Sequence, residues 1–375
     1  MFSLKLNCGA LQKTLDDSFN TSFAHFLFVF SSFPRLQCWI ANMNNSTSGT
    51  SQALHHLWVI TWCAIYGIVA AATVIGNSLT IAVFSKKKLP RNFGGYFIVN
   101  LAVADLMVGA LALPMYIYIV YAFSYLQERN IVAFQQVYTV VDVFTGLTSV
   151  FTLASIALER LYGVLYPMQY HWRGKRVYFV TIIAMWAISA TASIVYILST
   201  RSLLYLLPET TFIYYLTVIS VLSVLVICAA YFAFGLRIHF WNKSKLDMVA
   251  SKQEKRLAAA LFIVTVVFVL TWTPFHVMNI LVNFTKSFLY KMPVDLVFFG
   301  KLLHYSNSLA NPAIYCFKIP EFRIAIRLMF CKNWVRETRV WLRKWNNDGR
   351  IWITLTSFVP LTNVHSEVLE RLPSA

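Results

Sequence analysis

Seven apolar stretches, each long enough to cross a bilayer, leave this chain few ways to fold. A membrane helix needs about 20 mostly apolar residues, and inside the bilayer its backbone polar groups must be paired within the chain. The stretches run approximately over residues 57–84, 95–122, 134–163, 178–199, 212–238, 257–282 and 294–317. The connections between them are too short to hold another domain. The expected fold is therefore all-α, a seven-transmembrane helix bundle. Composition agrees: 58% of residues are hydrophobic and 13% charged, against about 25% charged in soluble domains.

Charge supplies the orientation. The net charge is +17, but it falls in packets between apolar runs. A nucleic-acid binder clusters such charge along one face, so nucleic acid is not an expected partner and anionic membrane lipid is. The first loop holds Lys86, Lys87, Lys88 and Arg91, the third Arg173, Lys175 and Arg176, and the fifth Lys243, Lys245, Lys252, Lys255 and Arg256. Because basic loops stay cytoplasmic, the N-terminus is expected outside and the C-terminal tail inside a multi-pass plasma-membrane protein. The division is an extracellular segment 1–56, a transmembrane domain 57–317 and a cytoplasmic segment 318–375.

The end segments carry their own signals. Asn20, Asn44 and Asn45 head N-glycosylation sequons, which suits an extracellular segment. Residues 24–31 are apolar enough for a signal-peptide core, although no strongly basic segment precedes them. Translation from Met43 is the alternative, with residues 1–42 then upstream sequence. After the seventh stretch, Phe322, Ile326 and Met329 recur at helical spacing beside Arg323 and Arg327. That pattern predicts an amphipathic helix on the inner membrane surface. Cys331 at its end is either a palmitoylation site or an unmodified thiol. Cys8, Cys38, Cys63, Cys228 and Cys316 show no metal-ligand spacing.

Polar residues inside apolar stretches are the functional candidates. A charge at mid-bilayer costs about 2.5–3.5 kcal/mol on insertion scales. Asp105 and Asp142 lie deep in the second and third stretches, and Asn77, Ser149, Asn307, Ser308 and Asn311 are also in stretches. Small polar groups of this kind also serve simply to bond a neighbouring helix. Pro274 and Pro312 interrupt the sixth and seventh. Each removes a backbone bond and kinks its helix, either as a rigid bend or as the hinge of a switch.

These residues are arranged as in a known family. Gly76-Asn77, Asn100-Leu-Ala-Val-Ala-Asp105-Leu, Glu159-Arg160-Leu161, Pro167, Trp186, Trp272-Thr-Pro274-Phe and Asn311-Pro-Ala-Ile-Tyr315 followed by Phe322 stand in order along the chain. Over residues 57–332 the chain resembles the rhodopsin-like, or class A, G-protein-coupled receptors. The resemblance implies a receptor and not an enzyme, with a heterotrimeric G protein and an extracellular ligand as partners, arrestin as a further one, and no cofactor. It implies that Arg160 engages the G protein and at rest pairs with Glu159 and Glu254. It implies that Phe268, Trp272, Pro274, Tyr231, Asn311, Pro312 and Tyr315 form the activation switch. Asp105, Ser149, Asn307 and Ser308 match the family's pocket for an allosteric sodium ion, with Asp105 the charged metal ligand.

Departures narrow the branch. Gln135 stands where the family has a disulfide cysteine, residues 200–211 contain no Cys, and Ser223 is the best match to a missing proline of the fifth helix. This resembles the melanocortin, adenosine, cannabinoid and lysolipid branch. The ligand stays open. Asp142, eighteen residues before Arg160, matches the carboxylate that holds the ammonium in amine receptors, and Tyr305 matches the tyrosine that bonds it. Phe275, His276, Asn279 and Lys301 are expected to line the same cavity. A small cation such as a biogenic amine is the first reading, with nucleoside, lipid or peptide ligands as alternatives. In a purely structural reading, Lys301 pairs with Asp142. A channel or transporter would need a polar pore or repeated broken helices, and an enzyme a nucleophile with its base or a metal cluster. The sequence offers neither.

Overall fold

The computed structural model describes residues 49–85, 95–125, 131–200, 209–240, 252–284 and 293–330. Asn20, Asn44, Asn45 and Cys331 lie outside them, as do the side chains of Glu254 and Asn279. Met1–Ala325 form one compact unit and Ile326–Ala375 a second. Of the second unit, only residues 326–330 are described.

All described elements are helical. The first span is α1 (Gly49–Ser85). The second is α2 (Gly95–Met107), a π-helical turn (Val108–Ala112) and α3 (Leu113–Tyr125). The third is α4 (Ile131–Leu165). A short α5 (Pro167–Trp172) follows, where Pro167 occupies the first turn and needs no donor. The remaining spans are α6 (Lys175–Thr200), α7 (Glu209–Phe240), α8 (Lys252–Phe284) and α9 (Val294–Lys318). Next comes α10 (Pro320–Phe330), where the amphipathic helix is expected. Each span except the seventh begins several residues before its apolar stretch or ends several after it, because helices continue beyond the hydrocarbon boundary.

Six of these runs are long and apolar enough to cross a membrane by length and composition. The seventh, α9, is more polar because it carries Asp295, Lys301, His304, Ser306, Asn307, Ser308 and Asn311. Its polarity is turned inward. Lys301, Asn307, Ser308 and Asn311 are buried against the other spans. The outer surface is the reverse: Ile68 and Phe232 are each 70% exposed and Leu270 66%. A bundle with polar groups inside and large apolar groups outside is built for lipid, where helix packing rests on shape and interhelical hydrogen bonds.

Small residues set the close approaches. A Cβ on Gly76 would lie 3.0 Å from the ring carbons of Pro312, so α1 meets the kink of α9 only because that side chain is missing. The π-helical turn has a local cause. Pro114 carries no N–H and its ring crowds the preceding turn. The ladder widens there, and the Leu113 N–H reaches back five residues to the Val108 carbonyl. Gly109 in that turn lets it press on Thr73 and Val74 of α1. Beyond the turn Tyr116 packs among Tyr66, Tyr138 and Tyr305 in the core.

Candidate functional site

Two polar stripes at helical spacing build the interior. On α4 they are Tyr138, Asp142, Thr145, Ser149 and Thr152; on α9, Lys301, His304, Tyr305, Ser308, Asn311 and Tyr315. Residues three and four apart share a helix face, so each helix presents a column of polar groups to the bundle axis. Where the columns meet they form an upper and a middle cluster, and a third lies farther along α4 beside α5.

The upper cluster is an ion pair in an aromatic cage. Lys301 Nζ donates to Asp142 Oδ2 at 2.7 Å, and the Tyr305 hydroxyl donates to Asp142 Oδ1 at 3.1 Å. The Tyr138 and Tyr305 hydroxyls are hydrogen-bonded to each other. The ammonium lies 4.5 Å from the centre of the Phe275 ring and 5.1 Å from that of Tyr305, a placement that ring quadrupoles favour. Lys301 is only 2% exposed. Of the two sequence readings of Asp142, the geometry contains the pair with Lys301.

Below the pair lies a cavity of about 10 Å³, room for about one water. Its walls include Asp142, Ser149, Trp272, His304, Tyr305 and Asn307. The Trp272 indole packs on Phe268 at 4.7 Å and His304 at 4.5 Å. Its ring edge lies against Gly146 of α4, where a Cβ would meet it at 3.4 Å, an ordinary contact. Trp272 Nε1, both ring nitrogens of His276 and Nδ1 of His304 are buried without a hydrogen-bond partner.

The middle cluster surrounds Asp105. Ser308 Oγ donates to its Oδ1 at 2.8 Å, Ser149 Oγ to the same oxygen at 3.4 Å, and Asn311 Nδ2 to Oδ2 at 2.6 Å. Asn307 is buried here, and its Oδ1 has no partner. A carboxylate, two hydroxyls and an unpaired amide oxygen make a hard-oxygen donor set of the kind a small cation takes. The expected set of Asp105, Ser149, Asn307 and Ser308 is thus brought together, and Asn311, which sequence reasoning placed in the switch, joins it. Asn77 of α1 braces the same region by donating to the Ser308 carbonyl at 3.0 Å. Asn100 donates to Thr152 and accepts from the Trp186 indole, both at 2.8 Å, which ties α2, α4 and α6.

The lower cluster holds Arg160, 8% exposed, with its Nη2 3.0 Å from Glu159 Oε2. The Tyr170 hydroxyl, from α5, donates to Glu159 Oε1 at 2.6 Å. Burial, and then the Glu159 carboxylate, push the Tyr170 phenol well above its usual range, so it remains a donor. Sequence reading did not single out Tyr170, Tyr138 or Asp295, whose carboxylate accepts from the Trp58 and Trp62 indoles at 2.7 and 3.2 Å. Tyr231, Phe268, Trp272 and Tyr315, expected from the sequence to form the switch, are all buried. Pro274 and Pro312 sit inside α8 and α9.

Comparison with known proteins agrees with this architecture. The family described as 7 transmembrane receptor (rhodopsin family) matches residues 76–315. The substance-K receptor of Canis lupus familiaris is 26% identical over 79% of this chain and 82% of its own length. The adenosine receptor A2b of Gallus gallus is 25% identical over 72% of this chain and 88% of its own. The galanin receptor type 1 of Homo sapiens is 27% identical over 71% and 80%. The family match covers well over half of the chain and contains all three clusters. The chain is a multi-pass membrane protein that belongs to the rhodopsin family of seven-transmembrane, G-protein-coupled receptors.

Proposed function

We propose that this receptor takes an extracellular small ligand at the Asp142–Lys301 pair and passes the signal through Trp272 and the Asp105 cluster to Arg160. The observation that carries the reading is a buried charge pair joined by one cavity to Trp272 and to Ser149, Asn307 and Ser308. Relatives named as receptors for substance K, galanin and adenosine leave the ligand class open. An amine reading gains support from Asp142 and Tyr305, but an amine would have to displace Lys301. Phe275 and His276 fit the wall of the same site, and Asn279 belongs to it by its position on α8. The N-terminus is extracellular, with glycans on Asn20, Asn44 and Asn45. The tail faces the cytoplasm, where Cys331 is acylated against membrane lipid and arrestin binds the activated receptor.

Membranes holding the chain and a promiscuous G protein test this. An agonist should raise GTP loading, and Asp142→Asn should lower its potency about a hundredfold, the scale of a lost charged contact. An agonist indifferent to Asp142→Asn would remove Asp142 from the ligand site.

A sodium ion at Asp105 is part of the same proposal. Asp105, Ser149, Ser308 and the unpaired Asn307 oxygen would hold it, and the ion would supply positive charge that favours the resting packing of α2, α4 and α9. Replacing sodium with a bulky organic cation should raise agonist affinity in the wild type. Asp105→Asn should show no such response. A wild type blind to sodium would leave Asp105 as a packing hydrogen-bond acceptor only.

A further inference from the structure

The Asp142–Lys301 pair restricts what can bind beside it. The two charges touch at 2.7 Å, with the Lys301 ammonium set among the rings of Tyr138, Phe275 and Tyr305. The cavity below holds about one water, so a ligand entering from Asp142 must part the pair. A cationic ligand that takes Asp142 leaves the Lys301 ammonium buried and unpaired. An anionic ligand that takes Lys301 does the same to Asp142. Stranding either charge in a desolvated site costs several kcal/mol. Only a ligand that carries both charges replaces each lost partner and keeps the site neutral.

We propose that Asp142 and Lys301 are the two halves of a binding site for a small zwitterion, whose ammonium takes Asp142 and whose carboxylate takes Lys301. The inference rests on the ligand-site reading above and adds the ligand's chemical class. The neighbouring groups suit such a ligand. Trp272 Nε1, both ring nitrogens of His276 and Nδ1 of His304 are buried and unpartnered, so donors and acceptors remain for a carboxylate or side chain. Phe275, His304 and Trp272 pack on one another, and Trp272 and His304 line the cavity, an aromatic wall for an apolar substituent. The pair neutralises itself, with Lys301 standing in for the ligand ammonium and Asp142 for its carboxylate. Binding exchanges one ion pair for two and moves α9 relative to α4, the two helices that also carry Ser308, Asn311 and Ser149 around Asp105.

The test uses the full chain in cell membranes with a promiscuous G protein and needs no mutation for its first arm. The probes are the twenty common amino acids, γ-aminobutyrate and β-alanine. Each is paired with the amine lacking the carboxylate and the acid lacking the ammonium. At least one zwitterion should raise GTP loading, with its amine and acid counterparts each weaker by about a hundredfold. The second arm uses surface-normalised receptor. Asp142→Asn and Lys301→Gln should each reduce potency by a similar factor. Asp142→Lys combined with Lys301→Asp should recover both expression and response, because a zwitterion can bind in the reversed sense. Silence of every zwitterion overturns the proposal. So does an amine as potent as its parent amino acid and unaffected by Lys301→Gln, although that result keeps the ligand site at Asp142. A zwitterionic agonist indifferent to both single variants overturns the proposal and the site together.

Discussion

Lys301→Met should cut the amount of receptor at the cell surface several-fold and lower its thermal midpoint in detergent, before any ligand is considered. The substitution keeps the bulk of the side chain and removes its charge. Asp142, whose side chain is 12% exposed, would keep one hydrogen bond from Tyr305 and lose its counter-charge. Removing one partner of a buried pair typically costs about 3–5 kcal/mol, whereas replacing both by neutral groups is often close to neutral. The double variant Asp142→Asn, Lys301→Met should therefore recover most of the lost expression while remaining unresponsive to ligand. The comparison separates packing from charge: a volume defect would persist in the double variant. Wild-type expression and melting of Lys301→Met would mean that Asp142 finds solvent or another cation.

The same pair marks where sequence reading stops. The number of spans is legible because bilayer thickness fixes a helix length and apolar runs of that length cannot hide. The set around Asp105 is legible because its members are motif residues at fixed spacing. Asp142 and Lys301 are 159 positions apart, and periodicity places each on an inward face without setting the rotation of α4 against α9. That rotation depends on the packing of α9 along α1 and α8, including the Gly76–Pro312 contact, which a single sequence does not encode locally. Tyr138 went unnoticed for a different reason. With 19 Tyr and 30 Phe in the chain, an aromatic residue inside a span carries almost no information. The π-helical turn had a trace in Gly109 and Pro114, but a proline in an apolar helix predicts a bend and not which carbonyl its neighbour will reach.

The clusters also explain why α9 tolerates so much polarity. Several of its polar groups are satisfied by other helices: Lys301 by α4, Ser308 and Asn311 by α2, the Ser308 carbonyl by α1, and Asp295 by the two α1 indoles. In lipid an unpaired group of this kind is expensive, so the partners fix the rotation of α9. A helix whose rotation depends on such contacts shifts when one of them changes, which suits the ligand-reporting role proposed for it.

At the Arg160 end of the bundle, Arg160→Ala should abolish ligand-stimulated GTP loading with the receptor still at the surface, and Tyr170→Phe should raise loading without ligand. Arg160 is held by Glu159, yet its Nε and Nη2 have no hydrogen-bond partner although buried. The 3.0 Å contact with Glu159 is thus a charge contact without an aligned hydrogen bond. A guanidinium left short of partners is one that a G-protein surface can draw out. Tyr170 holds Glu159 from the other side at 2.6 Å, and the loss of that donor leaves the carboxylate free to turn from Arg160. If the bond favours the resting state by about 1.4 kcal/mol, its removal raises the active fraction about tenfold. Glu254→Ala should act in the same direction, since a carboxylate at the start of α8 is the second proposed partner of Arg160 at rest. Tyr170→Phe with wild-type basal loading at equal surface density would show that Glu159 needs no second anchor. If Glu254→Ala alone raises the basal signal, the resting lock runs between α4 and α8. If Tyr170→Phe alone does so, it runs between α4 and α5.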